Sequence, residues 1–218
     1  MFEKLKKLST NFLDFFLPRR KDFLLVENLN FENISLLPKA LPIADLDWIH
    51  PLFAYKENRV RAIIWELKYK KNFLPLEHIG KLMYEEIMAL ISDILLFNND
   101  AKFLLIPIPI STERRMERGY NQSEQIAKAI LEHDLEHILL YAPQWFLKIK
   151  DTPKQSLSQS KERRLENLSG CFSANPRVLG KYVILVDDVI TTGSTLSESR
   201  KTLSEAGVQD VLAFTIAH

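Results

Sequence analysis

The stretch Val183-Ile184-Leu185-Val186-Asp187-Asp188-Val189-Ile190-Thr191-Thr192-Gly193-Ser194-Thr195 decides how this chain reads. Its apolar, β-branched opening has the pattern of a strand buried on both faces, as in a parallel sheet. The strand runs into two carboxylates, Asp187 and Asp188, and then into a turn of hydroxyl side chains around Gly193 that opens a helix. Paired carboxylates accept hydrogen bonds from adjacent sugar hydroxyls. A hydroxyl-rich turn at a helix start presents backbone N–H groups and the positive end of the helix dipole to a phosphate. In that order the parts describe a cradle for a ribose 5-phosphate. The plainer alternative is an ordinary strand, turn and helix whose aspartates act as caps.

This loop resembles the one by which type I phosphoribosyltransferases hold phosphoribosyl pyrophosphate. The resemblance implies that Asp187 and Asp188 bind the 2- and 3-hydroxyls of the ribose, and that Thr191, Thr192, Gly193, Ser194 and Thr195 bind the 5-phosphate. Two other nucleotide-binding readings fall to a count of glycines. The chain has six, Gly80, Gly119, Gly170, Gly180, Gly193 and Gly207, none spaced for a dinucleotide fingerprint or a Walker A loop.

Composition sets the frame around that loop. With 218 residues, 46% hydrophobic and 26% charged, the chain suits one globular domain of moderate size plus an appendage. A formal net charge of +1 says little about partners. Two local clusters say more: Met1 to Arg20 carries five Lys/Arg against two Asp/Glu, and Lys148 to Arg164 six against two. Such runs meet phosphates or nucleic acid, or they form a solvated face. A single cysteine, Cys171, excludes an intrachain disulfide and a cysteine-based zinc site, and implies a reduced, cytoplasmic setting. The apolar residues of the N-terminus are spaced rather than continuous, so it reads as neither a signal peptide nor a membrane span, and no stable membrane insertion is expected.

Phe2, Leu5, Leu8, Phe12, Phe15 and Phe16 recur at helical spacing until Pro18, a stripe expected to pack on the protein or a partner rather than on a membrane surface. Phe23 to Asp45 has no period and reads as irregular structure with one short hairpin. This divides the chain into an N-terminal segment, residues 1–45, and a domain over 46–218. Within that domain Asp47 to Tyr55 reads as a strand, and Glu57 to Tyr69 and Leu76 to Leu96 as helices. A regular alternation follows: strand over Lys102 to Pro107, helix over Asn121 to Leu131, strand over Trp145 to Lys150, helix over Ser158 to Asn167. Strand over Lys181 to Val186, helix over Thr195 to Glu205 and strand over Val211 to Ile216 complete it. The fold class is α/β, a mostly parallel sheet with helices on both faces, and binding loops belong at the carboxyl ends of its strands.

A second chemical stretch is Ile106-Pro107-Ile108-Pro109-Ile110-Ser111-Thr112-Glu113-Arg114-Arg115-Met116-Glu117-Arg118-Gly119-Tyr120-Asn121-Gln122. Two prolines stiffen the backbone at a strand's end, and a basic turn then enters a helix through Gly119. Fixed backbone at Pro107, Ile108 and Pro109 beside Arg114, Arg115 and Arg118 suits a pyrophosphate, because guanidinium forks match its oxygens. Solvated arginines on a proline-stiffened loop are the alternative.

The Pro-Ile-Pro loop, Arg118 to Gln122, Leu67-Lys68-Tyr69, Gln155-Ser156-Leu157-Ser158 with Arg163, Arg164 and Asn167, and the Asp187 to Thr195 loop stand in the order seen in the ComF family. From Asp47 to the C-terminus the chain is similar to these phosphoribosyltransferase-fold proteins, linked with DNA uptake in competent bacteria. The resemblance implies a fold and a ligand class, phosphoribosyl pyrophosphate with Mg²⁺, but no particular reaction. ComF relatives commonly begin with a four-cysteine zinc finger, whereas Met1 to Asp45 contains no cysteine. That segment must stabilise itself by apolar contact, and partner roles tied to the finger do not carry over.

Purine-salvage phosphoribosyltransferases carry an acid where Thr191 stands, and threonine is no general base near neutral pH. No catalytic residue is assigned for that reason. Two readings follow: transfer of ribose 5-phosphate to an unidentified acceptor, or a non-catalytic role in DNA uptake that engages single-stranded DNA or a competence helicase. Lys148, Lys150, Lys154, Lys161, Arg163 and Arg164, with Tyr69, Tyr120 and Trp145, are the candidates for a DNA surface. His133-Asp134-Leu135-Glu136-His137 matches an inverted zinc-protease pattern but falls where a helix should be ending, and is read as coincidence.

Overall fold

The computed structural model describes residues 21–27, 29–98, 101–150 and 168–218. The expected helices over the first 16 residues and over Ser158 to Asn167 lie outside them, as do Lys154, Gln155 to Ser158, Lys161, Arg163 and Arg164. In chain order the elements are α1 (Lys21–Glu27), α2 (Phe31–Ser35), β1 (Ile49–Phe53), α3 (Asn58–Tyr69), α4 (Leu76–Phe97), β2 (Phe103–Pro107), α5 (Thr112–Arg118), α6 (Gln122–Leu131), β3 (Leu139–Tyr141), β4 (Phe146–Lys148), β5 (Phe172–Ala174), β6 (Tyr182–Val189), α7 (Ser194–Glu205) and β7 (Asp210–Ala217). Five strands form one sheet in the order β1-β7-β6-β2-β3, every neighbouring pair parallel.

Side-chain alternation along the strands divides the core into two layers. Phe103 and Leu105 of β2, Ile184 and Val186 of β6, and Phe214 and Ile216 of β7 join the layer beneath α3, α4 and α6. Leu104 and Ile106, Val183 and Leu185, and Val211 and Ala213 join the opposite layer with Leu196 and Leu203 of α7. Because both faces are covered, the central strands carry long apolar runs; β2 is buried at all five positions. This is the α/β, mostly parallel architecture that the sequence predicts, with the helices on both faces.

The chain reverses its winding in the middle of this sheet. From β2 the next strand in sequence, β3, lies to one side; from β6 the next, β7, lies to the other. At such a switch point the loops after the two central strands diverge and leave a crevice at their carboxyl ends. Those loops are the Pro-Ile-Pro segment and the Asp187–Thr195 segment.

Several expectations need correction. Phe23 to Asp45 holds two short helices rather than a hairpin, and among the described residues its only bridge is Lys39 with Phe53 of β1. Asn30 caps α2 by accepting from the Asn33 N–H at 2.8 Å, a local signal that the absent period hid. The strand expected over Trp145 to Lys150 is shorter, and it pairs antiparallel with β5 in a separate two-stranded sheet. The three-residue edge strand β3 was not foreseen, being too short to show alternation.

Helices α4 and α6 pack through Gly80. A Cβ built there would stand 2.5 Å from the Ala129 carbonyl carbon and oxygen and 2.8 Å from its Cβ. Gly80→Ala should therefore lower stability by roughly 1–3 kcal/mol, the cost of overpacking a rigid contact. A urea-unfolding midpoint equal to the parent's would show that the helices can part without cost.

Candidate functional site

Strand pairing builds the site. Pro107 of β2 stands opposite Val186 of β6, and the Ile108 N–H donates to the Val186 carbonyl at 2.9 Å, carrying the ladder one residue past the strand. The prolines and the acid pair therefore start side by side. Asn121 then ties the next helix to this loop. Its side-chain amide donates to the Ile108 carbonyl at 2.9 Å, while its side-chain oxygen accepts from the Ser123 N–H at 3.1 Å and caps α6.

A cavity of about 250 Å³ opens at this point, lined by parts of both loops, by Lys68 of α3, Gln122 and Ser123 of α6, and Lys148 of β4. Asp187, Asp188, Thr191, Thr195, Ile108, Pro109, Arg114 and Arg118 all border it. A smaller hollow of about 40 Å³ adjoins it, bordered by Asp187 and by Thr191, Thr192, Gly193, Ser194 and Thr195. Pro107 lies in the strand below, outside the lining. Arg115 also departs from its expected place: it pairs with Glu124 rather than bordering the cavity. The reason is that residues 112–118 are a helix, not a turn, so Arg115 projects elsewhere than Arg114 and Arg118. Ser111 caps that helix, and Gly119 ends it in the left-handed region at φ 78°.

The acid pair lies within β6, whose last residues it forms with Val189. Asp187 Oδ1 accepts from the Ser123 hydroxyl at 2.9 Å and from the Asp188 N–H at 2.9 Å. Asp188 Oδ1 meets Lys68 Nζ at 3.1 Å, with side-chain exposures of 10% and 19%. Burial, together with the neighbouring Asp188 charge, pushes the Asp187 carboxyl up to about 7 from an ordinary 3.8, against the opposing pull of its two donors and Lys68. The lysine thus compensates one carboxylate and leaves the other in need of a proton or a ligand.

The hydroxyl turn is open to an anion. Gly193 has φ 74°, a conformation that only glycine takes without strain, and a Cβ there would meet Leu46 Cδ1 at 2.9 Å. The Thr192 and Ser194 hydroxyls share a hydrogen bond at 2.9 Å, and the Ser194 N–H reaches Thr192 Oγ1 only at 3.5 Å. Among the described residues the N–H groups of Thr191, Thr192 and Gly193 have no hydrogen-bond partner. These amides precede α7, so the helix dipole adds to their pull on a phosphate.

Sequence reasoning passed over Lys68, Gln122 and Ser123 as site residues, and it gave Lys148 to a DNA surface, whereas that lysine borders the cavity. Lys68 and Gln122 stood within stretches that carried the family resemblance, but nothing in the spacing assigned them a partner. The histidine pattern at His133–His137 does not lie on one helix: α6 ends at Leu131, and His137 has φ 53°. Asp134 there accepts from the Ile138 and Leu139 N–H groups at 3.0 and 2.8 Å, which starts β3. No helix among the described residues is long and apolar enough to cross a membrane.

Because the folded protein holds the Asp187 proton more tightly than the unfolded chain does, that carboxyl supports the unliganded fold below pH 3.8. The support is lost as pH rises through about 7. Asp187→Asn, which never ionises, should flatten the fall of melting temperature across this window. Parallel profiles for parent and variant would show that Asp187 titrates normally.

Comparison with known proteins points to one domain family. The phosphoribosyl transferase domain family model matches residues 144–218, a stretch that contains the acid pair and the hydroxyl turn. The chain is 36% identical over 120 residues to Competence protein ComFC of Bacillus subtilis, covering 54% of this chain and 45% of that protein. It is 35% identical over 120 residues to Competence protein F of Haemophilus influenzae, covering 52% and 49%. It is 30% identical over 109 residues to DNA utilization protein YhgH of Salmonella typhi, covering 49% and 45%. The chain spans about half the length of the curated relatives it matches. With its all-parallel five-stranded sheet, the chain has a phosphoribosyltransferase-like α/β fold and is similar over about half of its length to these competence and DNA utilization proteins.

Proposed function

We propose that this chain binds phosphoribosyl pyrophosphate with Mg²⁺, and that the chemistry its pocket suits is transfer of ribose 5-phosphate to an acceptor. The observation that carries this reading is the convergence of three recognition elements on adjoining cavities. The hydroxyl turn has vacant amides for the 5-phosphate, Asp187 and Asp188 stand ready for the ribose hydroxyls, and Arg114 and Arg118 border the space beside Ile108 and Pro109 for the pyrophosphate. In such a transfer the acceptor forms a bond to C1 of the ribose while the bond from C1 to the pyrophosphate oxygen breaks, and pyrophosphate leaves with the electron pair. Positioning and charge stabilisation by Arg114, Arg118 and Lys68 are what this site offers that step.

Magnesium fits the donor set only in part. Asp187 and Asp188 supply hard oxygen donors, yet no group of three His, Cys, Asp or Glu side chains among the described residues could hold a metal. An ion here would rest chiefly on ligand oxygens and water, and would supply neutralisation of the pyrophosphate charge. Thr191 offers no general base, so an acceptor must arrive deprotonated or lose its proton to another group.

Melting with phosphoribosyl pyrophosphate, with and without Mg²⁺, tests the reading. A ligand at a hundred times its dissociation constant should stabilise the parent by about 2.7 kcal/mol. Asp187→Ala and Asp188→Ala should abolish most of the gain. A parent that is indifferent to the ligand leaves only the fold.

A second reading, attachment to single-stranded DNA, draws on the names of the relatives and on one surface feature. At the end of α3, Tyr69 is 57% exposed with the Arg118 guanidinium 5.5 Å from its ring centre, and Lys70 lies 5.3 Å from the ring of Trp65. Aromatic rings beside cations stack on bases and meet phosphates. Tyr120 does not belong to this platform, because its hydroxyl donates to the Leu67 carbonyl. Binding to an oligonucleotide should fall steeply with salt and weaken in Tyr69→Ala; a flat salt response would reject this reading.

A further inference from the structure

The reaction scheme above makes no use of Gln122, whose side chain is the least satisfied in the site. It is the first residue of α6, borders the cavity and is 1% exposed. Its side-chain oxygen accepts from Arg118 Nη1 at 2.8 Å. Its side-chain nitrogen has no hydrogen-bond partner, the one buried side-chain polar atom of which this is true among the described residues. The two ends of an amide are easily exchanged, but not here: turning the group over would set two N–H donors against each other at Arg118. Arg118 therefore fixes the amide with its donors on the opposite side from the guanidinium.

A buried donor without an acceptor is costly, and the great majority of such groups in folded proteins are paired. The neighbouring lining of the cavity explains why none is present. Lys68, Arg114, Arg118 and Lys148 bring donors, and Ile108, Pro109 and Leu168 bring no side-chain acceptor. Asp187 turns its Oδ1 to Ser123 and Asp188 its Oδ1 to Lys68. None of the acceptors in this lining reaches the Gln122 side-chain nitrogen.

We infer that Gln122 is a ligand-binding residue whose amide N–H donates to an oxygen of the pyrophosphate group, with Arg118 holding it in the donating orientation. The inference rests on the phosphoribosyl pyrophosphate reading and adds to it a neutral reader of the anion. Arg114 and Arg118 attract any anion. A neutral amide fixed by Arg118 adds a directional donor to that attraction.

Gln122→Met and Gln122→Glu of the full chain test this, with melting curves and titrations using phosphoribosyl pyrophosphate plus Mg²⁺ and inorganic pyrophosphate. Methionine keeps the volume and removes the unpaired donor together with the acceptor for Arg118, two changes that oppose each other, so the unliganded variant should melt close to the parent. Its affinity for phosphoribosyl pyrophosphate should fall roughly ten- to a hundredfold. Glutamate keeps an acceptor for Arg118 and replaces the donor by a second carboxylate oxygen, so binding of both anions should fall further. Gln122→Met binding as tightly as the parent overturns the inference while leaving the proposed function standing. So does a variant whose unliganded melting temperature drops, since that makes the side chain structural. A parent that responds to neither anion overturns the proposed function, and this inference with it.

Discussion

The site depends on the parallel pairing of β2 with β6. Once Pro107 stands opposite Val186 and the Ile108 N–H is bonded to the Val186 carbonyl, the proline loop and the acid pair can only leave the sheet side by side. Each is useless alone: a stiff loop with arginines attracts any anion, and two aspartates at a strand end repel one. Side by side, they bring cations and carboxylates to one cavity, the arrangement that the proposed diphosphate-bearing sugar would need. The reversal of winding between these strands keeps the crevice open, since neither crossover helix passes over it.

Charge in the cavity is arranged as a set of deliberate imbalances. Lys68 satisfies Asp188, while Asp187 shares an oxygen between Ser123 and the backbone and remains burdened by burial and by its neighbour's charge. Three amides of the hydroxyl turn face no acceptor. The Gln122 amide nitrogen does the same inside the wall. Folding alone would not favour unpaired donors and a strained carboxyl gathered in one place. The proposed ligand, bearing hydroxyls and phosphate oxygens, would supply the missing partners of both kinds and so convert local instability into binding.

Two fixed backbones hold these groups in place. Asn121 links the end of the proline loop to the start of α6 by bonding to both, so Ser123 and Gln122 inherit the position of β2. Gly193 lets the chain turn against Leu46 where a side chain would not fit. Tyr120 anchors the junction of α5 and α6 to the carbonyl of Leu67, beside Lys68. The cation on α3 and the donors on α6 are thereby set relative to one another through short, local bonds.

The sequence by itself determined β1, β2, β6 and β7, the main helices, and the place of the acid pair and hydroxyl turn at a strand's end. These are written in short-range signals: β-branched runs, helical periods and a glycine where the chain must turn left-handed. Local signals cannot say which side chains meet across the sheet. Arg115 looked equivalent to Arg114 and Arg118 until a helix turned it toward Glu124, and Lys68 and Gln122 had no visible role until α3 and α6 brought them to the cavity. The short strands β3, β4 and β5 were decided by tertiary pairing, because three residues carry too little periodicity to choose a partner. The partnership of Lys68 with Asp188 spans 120 positions of chain and exists only because packing fixes one distance, 3.1 Å, that no local pattern encodes.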